Sequence, residues 1–139
     1  LDELHDDCDR AGCRILAACA RALNRTIDFA HENRLTRHQQ VMFALADMMT
    51  HVEVGESMAR LAATQADETN LATARVFANA CARLVTEKIR LIVMGSDSVA
   101  AEMADQFLSS LSLAPLEGSY RGLIDDMDCI ADRIFERAS

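Results

Sequence analysis

Between Arg34 and Ala66 the chain carries no proline, and every third or fourth residue is apolar or small: Val41, Leu45, Met48, Val52, Gly55, Ala59, Ala62 and Ala66. An α-helix, at 3.6 residues per turn, brings that spacing onto one face, so the segment predicts a long helix whose stripe must be covered by other helices. The second half of the stripe narrows to glycine and alanine. Small side chains let a neighbouring backbone approach closely, which places the tightest helix contact between Gly55 and Ala66. Phe43, Asp47, Val54, Met58 and Leu61 follow a second stripe alongside the first. A helix apolar over that much of its circumference is expected in the middle of a bundle.

The flanking segments share the period. A first helix is expected over residues 2–32, with Leu4, Cys8, Ala11, Ile15, Cys19, Ala22, Leu23 and Ala30 on one face. Its acidic start suits the positive end of the helix dipole, and Asn33 can stop it in a left-handed cap. The short connection that follows makes it the antiparallel neighbour of the second helix. After the polar break at residues 65–70, Thr69 or Asn70 can cap a third helix over residues 71–94. Its stripe is Ala74, Phe77, Ala78, Cys81, Leu84, Val85, Ile89 and Ile92. Residues 95–98 end that helix and cap a shorter one over 99–111, whose inward face is Val99, Ala100, Met103, Phe107 and Leu111. Residues 112–119, holding Pro115 and Gly118, read as a loop. A fifth helix over 120–138 is expected to bury Leu123, Met127, Ile130, Ala131 and Ile134. The predicted fold class is all-α: an antiparallel helical bundle of three long and two shorter helices, forming a single domain over residues 1–139.

Composition agrees. Half of the residues are hydrophobic, glycine occurs five times and proline once, and 139 residues can bury about two thirds of the surface of the unfolded chain. The net charge of −8 and pI near 4.9 work against nucleic acid and anionic lipid as partners. The basic excess at Arg34, Arg37 and His38 reads as a solvated helix start. No stretch reaches the roughly 18 apolar residues of a membrane span. Cys8, Cys13, Cys19, Cys81 and Cys129 form an odd set with no CxxC pair, and read as small buried residues of a reducing cytosol. Cytoplasmic localisation is the expectation. The chain begins at Leu1 without a methionine and already inside a helical pattern, which reads as part of a longer polypeptide.

Candidate chemistry is sparse. A di-metal bundle needs Glu-x-x-His on two helices and glutamates from two more. Here Asp2-x-x-His5 and Asp28-x-x-His31 both fall on the first predicted helix, about 39 Å apart at 1.5 Å per residue, so they cannot share an ion. No serine or cysteine sits in a glycine-flanked elbow, and no glycine-rich phosphate loop is present. Asp47 and His51, one turn apart, could form an acid and base pair, but the pattern favours a carboxylate satisfied at an interhelical contact. Met42, Met48, Met49 and Met58 read as core rather than as a ligand groove.

The run Gln39-Gln40-Val41-Met42-Phe43-Ala44-Leu45-Ala46-Asp47-Met48 resembles helical regions of acyl-CoA dehydrogenases, flavoproteins that desaturate fatty acyl-CoA. One such region closes the catalytic core and the other is appended after it, as in very-long-chain and many bacterial members. In the catalytic core a helix like Phe77-Ala78-Asn79-Ala80-Cys81-Ala82-Arg83-Leu84-Val85 leads into a His-Gly-Gly-x-Gly stretch, where this chain reads Val93-Met94-Gly95-Ser96-Asp97. It then continues through a turn to further helices, as the appended domain does, and the likeness covers residues 34–137. The resemblance implies a non-catalytic C-terminal domain serving packing and assembly, with FAD held elsewhere in the parent chain and the upstream catalytic core as partner. It carries over no catalytic, cofactor-binding or metal-ligating residue. A homodimer is expected through Phe43, Val54, Met58 and Leu61, and membrane association is disfavoured by the acidic balance. A stand-alone helical module that binds another protein is the alternative, and a fragment of the catalytic core a third reading.

Overall fold

The computed structural model describes residues 7–135. Residues 7–10 are helical, Ala11 and Gly12 turn, and α1 then runs over Cys13–Glu32. A 3-10 turn (Leu35–Arg37) leads into α2 (Gln39–Thr64), followed by α3 (Glu68–Met94), α4 (Ala101–Ser110) and the single-turn α5 (Ala114–Glu117). A second 3-10 turn (Gly118–Tyr120) precedes α6 (Leu123–Ile134). The fold is an all-α bundle.

The expected first helix is not continuous. Gly12 stands at φ +89°, and a Cβ there would lie 2.8 Å from the Cβ of Ala78 on α3. The break lets the chain turn while its backbone touches α3, a combination open to glycine alone. The expected positions Asp2, Leu4 and His5 lie outside the described residues. Cys8 and Cys13 flank the break and are joined in a disulfide, Cα to Cα 5.5 Å, which overturns the reading of all five cysteines as unpaired. Cys19 and Cys81 are the buried apolar residues expected, and Cys129 is half-buried.

The other boundaries shift for local reasons. Asn33 keeps φ −95° because both its backbone N–H and its side-chain amide donate to the carbonyl of Phe29, so the left-handed residue is Arg34, at φ +56°. Leu35, fully buried, occupies the turn and delays α2 to Gln39. Ala66 falls beyond α2 and is exposed. α3 begins earlier than expected because the cap is Asp67, whose carboxylate accepts the Asn70 N–H at 2.8 Å. α4 has no side-chain cap, and Ala100 and Met103 face solvent while Ala104 is buried. The expected loop over 112–119 is mostly helical: Pro115 sits in the first turn of α5, where its missing N–H costs nothing, and Leu116 and Ser119 are buried.

α3, not α2, is the central helix. It packs against α1, α2, α6, α5, the second 3-10 turn and α4, whereas α2 lies mainly on α1 and α3. Leu71, Val85, Ile89, Ile92 and Val93 of α3 are fully buried, each contributing about 1.5–3 kcal/mol by leaving water. They form one core with Leu16, Cys19 and Leu23 of α1 and with the inner stripe of α2. Arg25 ties α4 to α1: it donates to the carbonyl and hydroxyl of Ser110 at 2.7 and 2.6 Å and lies over the ring of Phe107, itself 4.3 Å from that of Phe29. α6 is held to α3 by Arg75, which grips both carboxylate oxygens of Asp126 at 3.0 and 2.8 Å and the Arg10 carbonyl at 2.7 Å. The Asp126 carboxylate holds the Arg75 guanidinium more firmly protonated than usual, outweighing its partial burial. Of the α6 positions expected to be buried, Leu123, Ile130 and Ala131 are half-buried, and Met127 and Ile134 are exposed. α6 covers α3 at the edge of the bundle, so none of the described helices lies against its far side.

Candidate functional site

α2 has two faces of different fate. The inner stripe of Val41, Leu45, Met48, Val52, Gly55, Ala59 and Ala62 is buried. At Gly55 a Cβ would come within 2.5 Å of a methyl of Leu16 and 3.5 Å of the Phe77 ring, so α1 and α3 both close on this point. The outer stripe stays open. Phe43 is 58 %, Val54 42 % and Leu61 58 % exposed, and Met58 is half-buried. At 100° per residue these four positions fall within about 60° of one another, and Phe43 to Leu61 spans about 27 Å along the axis. Met42 and Met49 are exposed on the same helix rather than in the core, where the sequence placed them. Met48 is fully buried.

A shallow groove of about 410 Å³, lined by Thr50, Glu53, Val54, Ser57, Met58 and Leu61, runs along this face. Met58 and Leu61 also border a smaller cleft of about 110 Å³ shared with Asn70, Thr73 and Ala74 of α3. The four residues singled out from the sequence therefore lie on one surface, mixed with short polar side chains.

The remaining candidates for chemistry separate. His51 Nδ1–H donates to the backbone carbonyl of Asp47 at 2.9 Å, and its ring stacks at 6.2 Å on Phe77. The Asp47 side chain is exposed, so the two form no acid and base pair and the carboxylate sits at no interhelical contact. Asp28 and His31 lie on the exposed side of α1. Among the described residues no three His, Cys, Asp or Glu groups gather closely enough to hold a metal ion, and no helix is long and apolar enough to cross a membrane. The thiols of Cys19 and Cys81 meet between α1 and α3. The hydrogen bond to Cys81, reinforced by burial, pushes the Cys19 thiol well above its usual range. A buried, protonated thiol is no nucleophile.

Two features escaped the sequence. Asn79 is fully buried in α3, and Arg83 lies beside it at the mouth of a cleft of about 560 Å³ between α3 and the α5 turn. Nothing in a helical stripe marks one asparagine as a polar hub. The far side of α6 exposes Ile124, Met127 and Ile134, which the helical period alone assigned partly to the core.

A family model for the acyl-CoA dehydrogenase C-terminal domain matches residues 9–119. The chain belongs to that family. The matched span of this acyl-CoA dehydrogenase C-terminal domain takes in α1 to α5 and the core they share, and α6 follows it. Comparison with curated proteins gave no match, and comparison with solved structures gave none.

Proposed function

We propose that this domain is the non-catalytic helical part appended after the catalytic core of a longer FAD-dependent acyl-CoA dehydrogenase, and that it serves packing and assembly. The carrying observation is the outer face of α2: some 27 Å of helix with Phe43, Val54 and Leu61 open to water. Soluble monomers seldom leave more than a few hundred Å² of contiguous apolar surface uncovered, so a face of this kind supports a partner lying along it. In the parent chain that partner is the upstream catalytic core. In the separate chain it is a second copy, joined by a two-fold contact that uses the same face twice.

The described residues do not fit FAD. The clefts are open, and the one beside Arg83 intersperses two arginines and two glutamates with Ala82, Leu116 and Tyr120, a mixed wall and not a deep slot for a flavin ring. Flavin binding and fatty acyl-CoA oxidation are therefore assigned to the upstream core, and no step of the reaction to this domain. The net charge of −8 argues against an anionic membrane surface as partner. The free thiols Cys19, Cys81 and Cys129 support a cytoplasmic location, while the Cys8–Cys13 bridge argues against it, since reducing compartments open such bonds.

The purified chain is expected to be colourless and to oxidise no acyl-CoA with an artificial electron acceptor. A stoichiometric flavin spectrum with turnover would overturn the reading and make the chain a part of the catalytic core.

A further inference from the structure

We propose that the cleft between α3 and the α5 turn binds a small organic oxyanion, a carboxylate or phosphate that also carries a hydroxyl or amino group, with Arg83 and Arg90 as its anion clamp. Asn79 anchors the cleft. A fully buried side-chain amide is costly unless every polar atom is satisfied, and this one is. Its Nδ2 donates to Ser119 Oγ at 3.0 Å, the Ser119 hydroxyl donates to the Leu116 carbonyl at 2.6 Å, and its Oδ1 accepts from Arg83 Nε at 2.9 Å. The network locks the α5 turn onto α3 and grips the guanidinium from behind. The two Nη groups of Arg83 meet no protein acceptor among the described residues.

Arg90 stands two turns further along the same face, about 10 Å away at 1.5 Å rise per residue, and has no partner among the described residues. Glu87 lies one turn from each arginine and forms an ion pair with neither, although neighbours at that spacing readily pair. Two cations left unpaired around one cleft, in a chain of net charge −8, match an anion that both can reach. Guanidinium groups suit this task because they donate two parallel hydrogen bonds to one oxyanion. Glu87 and Glu117 on the same walls accept from a hydroxyl or ammonium group, which makes a bare inorganic anion the weaker ligand. Tyr120, half open at the rim, adds a ring against the ligand's carbon skeleton.

The test is calorimetric titration of the 139-residue chain with malate, glycerol 3-phosphate and inorganic phosphate, followed by the chemical shifts of the Asn79 side-chain amide. One saturable site is expected for malate or glycerol 3-phosphate, their ratio telling carboxylate from phosphate, with inorganic phosphate weaker than the better of the two. Arg90→Gln, at an exposed position with no protein partner, should weaken binding about tenfold or more, as loss of a charge-assisted hydrogen bond does. Arg83→Lys should weaken it comparably, and Arg60→Gln, which removes the same charge from α2, should leave it unchanged. Equal weakening by Arg60→Gln and Arg90→Gln, or no saturable binding of any of the three compounds, would overturn the proposal.

Discussion

Gly12 decides where α1 begins. Its apolar neighbours keep the helical period running from Cys8 to Ala30, so the stripe alone predicts an unbroken helix, yet Cys8 and Cys13 held a contrary signal. Five residues apart, they point about 140° away from each other on a helix, and a bridge between them requires the helix to stop. Gly12→Ala is expected to cost more than Gly122→Ala in urea unfolding. Both positions have positive φ, which costs a residue with a Cβ about 1–2 kcal/mol, but only at Gly12 does the new methyl also strike Ala78. Equal costs would mean that the contact with α3 is loose. Cys19 supplies a pH effect. Its folded pKa lies above the usual thiol value of 9.0, so its contribution to stability is present below pH 9 and is lost as the unfolded thiol ionises above it. The melting temperature should therefore fall above pH 9, and Cys19→Ala should flatten that fall. An unchanged slope in the variant would show that the thiol is solvated.

At the scale of elements, the long stripe between Val41 and Ala62 is legible because its period is sustained over about six turns and one face of it is wholly buried. The rank of the helices was not. α2 carries more apolar residues around its circumference than a half-covered helix needs, and that excess reads as a central position; in the structure it is an uncovered face, and the central place falls to α3. A single sequence cannot tell apolar residues that meet a neighbouring helix from apolar residues that meet none within the chain. The sequence puts caps one to three residues from their true places, because Asp67, Thr69 and Asn70 are all competent caps and geometry chooses among them. Asp67→Ala should lower stability by about 1 kcal/mol, the usual worth of an N-cap, while Thr69→Ala should change little. The reverse order in thermal melts would move the start of α3.

The whole molecule follows from these choices: a core around α3, an acidic exterior, and apolar side chains left open along α2 and on the far side of α6. Family membership was legible in the helix that bears Gln39 to Met48, since that run is both a stripe and a pattern shared with acyl-CoA dehydrogenases. The Asn79 network was not, because its partners Ser119 and Leu116 lie forty and thirty-seven residues further along the chain and meet it only after folding. Packing of the α2 face against a partner is decided by sedimentation equilibrium of the wild-type chain beside Leu61→Glu. Leu61 is more than half exposed, so a carboxylate there leaves the monomer's core intact. The wild type is expected to reach a dimer as concentration rises and Leu61→Glu to remain monomeric with the same helical content. A wild type that stays monomeric throughout, or a variant that dimerises equally well, would contradict it.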